Sequence, residues 1–84
     1  MKPNEILQEQ IFEIIRNQIK DNDTPETKIN YDRLKALGYN NFEINQLIGQ
    51  CVALELFQVM KFKKPFNETR YINNLNNLPK EPKE

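Results

Sequence analysis

The stretch NNFEINQLIGQCVALELFQVMKF, residues 40–62, decides how this chain folds. It opens with a helix-start pattern, in which Asn40 and Glu43 stand at capping-box spacing and Tyr39 and Ile44 at the spacing of a hydrophobic staple. Just before it, Gly38 suits the left-handed residue that ends a preceding helix. At about 100° per residue, Ile44, Leu47, Ile48 and Cys51 gather on one side, opposite Asn45, Gln46, Gly49 and Gln50. Past Val52 the apolar side rolls to Ala53, Leu56, Phe57, Val59 and Met60, and Glu55 and Gln58 take the azimuth that was apolar before. A continuous helix of this kind is expected to pack its two halves on different neighbours, either at the centre of a bundle or in a dimer seam.

A competing reading stops the helix near Leu54. Residues 56–62 then form a strand, Lys63 to Asn67 a turn and Thr69 to Ile72 a returning strand, giving three helices and a β-wing. Two signals favour the helix. Ala, Leu, Met, Glu and Gln are good helix formers, and the next segment carries a helix start of its own. There Asn67 stands as N-cap, Glu68 in the first turn, and Phe66 and Tyr71 at staple spacing. Lys61, Lys63 and Lys64 suit the carbonyl end of the long helix, and Pro65 prevents its continuation.

Working outward, Pro3 to Lys20 reads as a first helix with acids early and bases late. Leu7, Ile11, Phe12, Ile14, Ile15 and Ile19 line its apolar stripe, into which Gln8 and Gln18 intrude. Asp21 to Asp23 reads as a loop. Thr24-Pro25-Glu26 starts a second helix, with Thr24 as N-cap, that runs to Leu37 and shares one narrow face among Tyr31, Leu34 and Leu37. Tyr71, Ile72, Leu75 and Leu78 give the last helix its apolar face. The expectation is therefore an all-α domain of four helices, at about 3–20, 25–37, 41–62 and 68–77. It forms a single unit over 1–78, and residues 79–84 form a charged, proline-bearing tail expected to be disordered.

Eighty-four residues fit one small core without a deep substrate cavity beside it. Twelve bases balance twelve acids, so the whole-molecule charge gives no pull toward a phosphate backbone. The charge is uneven, however. Residues 21–60 hold six acids against three bases, and residues 61–84 hold three acids against six bases. One cysteine cannot form an internal disulfide, and the opening Met-Lys-Pro-Asn lacks the apolar run of a secretory signal, so a cytoplasmic location is expected. No apolar run is long enough to cross a bilayer, and no membrane association is expected.

Catalytic chemistry finds little to work with. Histidine is absent, which removes the commonest general base and metal ligand together. Cys51 falls on an apolar helix face with nothing to make it a thiolate. Gly38 and Gly49 are too far apart for a phosphate-cradling loop, and Asp21 and Asp23 lack the glycine and glutamate of a calcium loop. Glu55 reads as half of an ion pair with Arg33, Lys35 or Arg70 rather than as a catalytic acid. No enzyme activity, cofactor, metal or small-molecule substrate is expected.

The helix, Leu-Gly-Tyr-Asn turn and helix from Tyr31 to Ala53 has a helix-turn-helix outline. Its early exposed positions, Asn41, Glu43, Asn45, Gln46 and Gln50, offer no cation to a phosphate. A winged-helix DNA-binding protein is thus the alternative function. It depends on the β-wing, which would carry Lys61, Lys63 and Lys64 at its tip.

Thr24-Pro25-Glu26-Thr27, Arg33-Leu34, Gly38, Glu43, Ile48-Gly49, Glu55 to Phe57, Pro65-Phe66-Asn67, Arg70-Tyr71 and Leu75 resemble the pattern of a small bacterial helical domain of unknown function, over about Ile11 to Leu78. Relatives in that family carry histidines near the positions of Phe12 and Gln46, which this chain lacks, and the resemblance implies no activity. Leu37-Gly38-Tyr39 is also similar to the first loop of ubiquitin-associated domains, whose helices are shorter than the third helix here. The expected function is protein interaction or self-association without catalysis. Its expected surface is Leu56, Phe57, Met60, Phe62, Phe66 and Tyr71, and its partner a second copy or another protein.

Overall fold

The computed structural model describes residues 3–21 and 24–83, with side chains from residue 9 onward. The expected roles of the Leu7 and Gln8 side chains lie outside the described side chains, and those of the Asn22-Asp23 loop and of Glu84 in the tail outside the described residues. Four helices follow in order: α1 (Pro3–Asp21), α2 (Pro25–Ala36), α3 (Asn41–Phe62) and α4 (Glu68–Asn77). The long helix is continuous. Among the described residues there is no strand, so the β-wing reading of residues 56–72 is overturned.

The ends of α3 follow from local chemistry. Asn40 Oδ1 accepts from the Glu43 N–H at 2.8 Å, and Glu43 Oε1 accepts from the Asn40 N–H at 3.0 Å, which completes the capping box. Asn40→Ala is expected to cost about 1 kcal/mol, read as a shift of the urea midpoint at constant slope. At the other end Lys63 adopts a left-handed conformation, φ 54°, and its N–H donates to Val59 O at 3.0 Å. Gly38, φ 106°, closes α2 as expected. The α2 start differs from expectation: Thr24 holds the N-cap position, but its side chain makes no capping bond.

α3 packs against α1, α2 and α4, and α2 also packs against α1 and α4. Ile11, Ile15, Leu34, Ile44, Ile48, Cys51, Val52, Tyr71, Leu75 and Leu78 form the core. At Gly49 the α1 helix comes close, since a Cβ added there would lie 3.2 Å from Ile11 Cγ2 and 3.8 Å from Phe12 Cε1. Leu37, expected on the inner face of α2, is 62 % exposed, because the helix ends at Ala36 and the chain turns away at Gly38. Polar residues take the remaining inward positions on α2: Thr27 and Asn30 are buried beside Leu34.

These polar groups are satisfied across helices. Gln18, which broke the apolar stripe of α1, accepts from Thr27 Oγ1 at 2.7 Å and from the Tyr71 hydroxyl at 2.9 Å. Asn30 Nδ2 donates to Asn76 Oδ1 at 3.0 Å, and Arg33 Nη2 donates to Leu75 O at 3.2 Å. The α2–α4 seam is held by hydrogen bonds as well as by packing, which explains how a helix with so weak an apolar face still docks. After Leu78 the chain leaves regular structure, and Asn74 bonds both the N–H and the carbonyl of Lys83.

Candidate functional site

The expected roll of the apolar face along α3 does not decide its packing. Ile44, Ile48, Gly49, Cys51, Val52, Glu55 and Gln58 are all buried; Gly49 apart, they occupy one stripe about 120° wide from Ile44 to Gln58. The same side of α3 faces inward from Ile44 to Gln58, beyond which the last turn projects past the core. Polar residues therefore stay inside in the second half, and apolar ones are left outside.

What holds Glu55 inside is a matched set of donors. Its side chain is 0 % exposed, Arg70 Nε donates to Oε2 at 2.6 Å, and Arg70 Nη2 donates to Oε1 at 2.9 Å. The Asn67 N–H, at the start of α4, donates to Oε1 at 3.0 Å. The carboxylate is thus clamped by a planar guanidinium fork and a helix N-terminus, which together offset its desolvation. Of the three cations considered as its partner, Arg70 is the one that meets it. Arg33 instead bonds Asn30 Oδ1 and Leu75 O.

The second-half apolar residues divide in a definite way. Phe57 is 51 % exposed, Met60 72 %, Phe62 49 % and Phe66 40 %. Leu56 is half-buried against the core. Tyr71 leaves the expected surface altogether: it is fully buried, because its ring fills the core and its hydroxyl reaches the Gln18–Thr27 pair. Phe66 sits edge-on to the Tyr71 ring, with centroids 5.3 Å apart, as staple spacing implied.

The four exposed side chains leave on the order of 400 Å² of apolar surface, taking about 200 Å² for each free side chain. Lys61 Nζ lies 5.2 Å from the Phe57 ring centroid and 5.3 Å from that of Phe62, and Lys64 Nζ lies 5.9 Å from the Phe62 centroid. All residues from Met60 to Thr69 are exposed, so the last turn of α3 overhangs the bundle. Beside it, Gln50, Ala53, Leu54 and Phe57 of α3 line a groove with Glu81 and Pro82, of about 490 Å³. Ala53 is expected with Phe57 and Met60 on the rolled apolar side; Leu54 is not, and its position about 120° from Ile48 in projection is the signal for it.

Two interior groups, Cys51 and Tyr71, are held in their protonated forms by burial. Burial pushes the Cys51 thiol up to about 12, opposed by a backbone hydrogen bond and reinforced by the Glu55 charge. Burial likewise pushes the Tyr71 hydroxyl up to about 12 against the hydrogen bond with Thr27. Both folded values lie above the ordinary 9.0 and 10.0, so each group contributes stability that is complete below its ordinary value and lost as pH rises toward 12. These two groups are expected to lower the urea midpoint as pH rises between 9 and 12, with Cys51→Ala delaying the onset. Among the described residues no three metal-ligating side chains gather, and no helix is long and apolar enough to cross a membrane.

A second cleft, about 430 Å³, lies between α1, α2 and α3, with Phe12, Ile15, Ile19 and Tyr31 in its walls and Arg16, Lys28 and Asp32 also lining it. Lys28 and Asp32 pair with each other at 3.3 Å. Compared with known protein families, characterised proteins and solved structures, the chain matches none.

Proposed function

We propose that this is a non-enzymatic docking domain, whose contact surface is the outer side of α3 and its overhanging end. The observation that supports it is the inversion in the second half of α3, where Glu55 is buried while Phe57, Met60 and Phe62 face solvent. Keeping a carboxylate inside while aromatic side chains stand outside is costly for a small monomer, and it is sensible where a partner covers the aromatic ones. The partner is a protein, either a second copy or another chain. A lone buried thiol suits a reducing, cytoplasmic setting.

The DNA-binding alternative loses its wing, since Lys61 closes a helix and Lys63 caps it. The exposed residues early in α3 remain Asn41, Phe42, Glu43, Gln46 and Gln50, without a cation.

Site-specific photo-crosslinking in the producing cell tests the docking reading. A photoreactive phenylalanine analogue at Phe57 is expected to give a discrete adduct heavier than the chain, and the same analogue at exposed Ile29 on α2 is not. Absence of any adduct at Phe57 would refute the reading.

A further inference from the structure

After α4 and Leu78 the sequence reads Pro79-Lys80-Glu81-Pro82-Lys83-Glu84, one Pro-Lys-Glu triplet repeated. Proline fixes its own φ and biases the residue before it toward extended backbone, so a proline at every third position keeps the segment out of a helix. Residues 81–83 have no regular structure, yet both triplets are held. The Lys80 N–H donates to Asn77 O at 2.9 Å, and the Lys83 N–H donates to Asn74 Oδ1 at 2.9 Å. Equivalent residues of the two triplets thus bond positions three apart on α4, and the segment runs back along that helix.

Asn74 makes a second bond to the same residue, since its Nδ2 donates to the Lys83 carbonyl at 3.0 Å. A side chain that is 5 % exposed therefore meets both main-chain groups of Lys83. An amide side chain carries the same donor and acceptor as a peptide unit, so it reads backbone, as a neighbouring strand does. Pro82, which has no N–H to satisfy, is half-buried and lines one groove with Ala53, Leu54 and Phe57 of α3. Lys83 also lines a polar cleft of about 620 Å³ with Asn67, Asn73 and Asn77, which gives a longer segment room to continue.

We infer that the outer side of α3 and the asparagine edge of α4 form a binding site for an extended, proline-bearing peptide segment of another protein, and that residues 81–83 are its resident occupant. This rests on the docking reading above and names the form in which the partner enters. The partner's segment has proline at every third position and charged residues between, because that chemistry is already seated, with proline at the α3 groove and the next residue's main chain on Asn74. A stiff, extended segment also loses little freedom on docking. It displaces the resident one by making the same contacts and continuing into the polar cleft.

NMR titration of the isotope-labelled full chain with a capped synthetic peptide, Pro-Lys-Glu-Pro-Lys-Glu, tests this. The peptide is expected to shift the Asn74 side-chain amide and the backbone amides of Leu54 and Phe57, saturating in the millimolar range. Tethering gives the resident segment an effective concentration of the same order, so it competes. Lys83→Pro removes the N–H that Asn74 accepts, and it is expected to tighten peptide binding about fivefold over the native chain. Asn74→Ala is expected to weaken binding about tenfold with its helical circular dichroism kept, and glycine in place of both peptide prolines to weaken it to a similar degree. Should Asn74→Ala lose its helices, the Lys83→Pro comparison decides. No shift in the Lys83→Pro chain at about 10 mM peptide overturns the inference. Binding indifferent to Asn74→Ala, to the prolines or to Lys83→Pro also overturns it, as do shifts at these amides that follow protein concentration without peptide and so assign the site to a second copy. A peptide that fails while the Phe57 adduct persists removes this inference alone; absence of the adduct removes the docking reading and this inference with it.

Discussion

Arg70→Met is expected to destabilise the domain by about 3 kcal/mol, a large part of the 5–15 kcal/mol that holds such a chain folded. The substitution keeps much of the side-chain volume but leaves the Glu55 carboxylate buried with the Asn67 N–H as its remaining partner among the three donors described. Losing one member of a buried pair costs more than losing both, because the survivor keeps its desolvation penalty. Glu55→Leu combined with Arg70→Met is therefore expected to recover most of the loss. The Arg70 side chain is 23 % exposed, which puts the effect toward the lower end of the range for buried pairs. Urea unfolding of the two single variants and the double variant checks the sign: a double variant as unstable as the sum of the singles would remove the pairing argument.

Tyr71→Ala is expected to cost about 3–5 kcal/mol, and Tyr71→Phe about 1–2 kcal/mol. The ring is fully buried in the core cluster, so its removal leaves a cavity that four packed helices cannot collapse to fill. Phenylalanine keeps that packing but strands a polar pair, since Gln18 Oε1 loses the hydroxyl at 2.9 Å and keeps Thr27 at 2.7 Å. Thermal unfolding separates the cases: the alanine variant shifts far more than the phenylalanine one. Equal shifts would mean that the hydroxyl, rather than the ring, secures α4.

Much of the architecture was readable from capping and turn chemistry. Asn40 with Glu43, Gly38, Asn67, and the Phe66–Tyr71 staple each act locally, so residue type at fixed spacing suffices to place helix ends. The direction in which α3 faces was not readable in the same way. An apolar projection assumes that charge stays outside, and Glu55 defeats that assumption only because Arg70 and the Asn67 N–H, twelve and more residues away, converge on it. The same long-range cause put Tyr71 inside, where the Gln18–Thr27 pair meets its hydroxyl, and brought Leu54 onto the outer face. Gln18 looked like an interruption of the α1 stripe and is in fact its polar contact with α2 and α4. Leu37 was misplaced for a simpler reason, since a helix that ends one residue early carries its last side chain off the core.

The central claim is that α3 keeps one side inward from Ile44 to Gln58, which buries Glu55 and leaves Phe57 and Met60 outside. Hydroxyl-radical footprinting of the native chain at low micromolar concentration reads that claim residue by residue. Phe57, Met60 and Phe62 are expected to oxidise readily while Tyr71 is protected until the chain unfolds. Protection of Phe57 and Met60 in the dilute native chain, with Tyr71 oxidised, would contradict it.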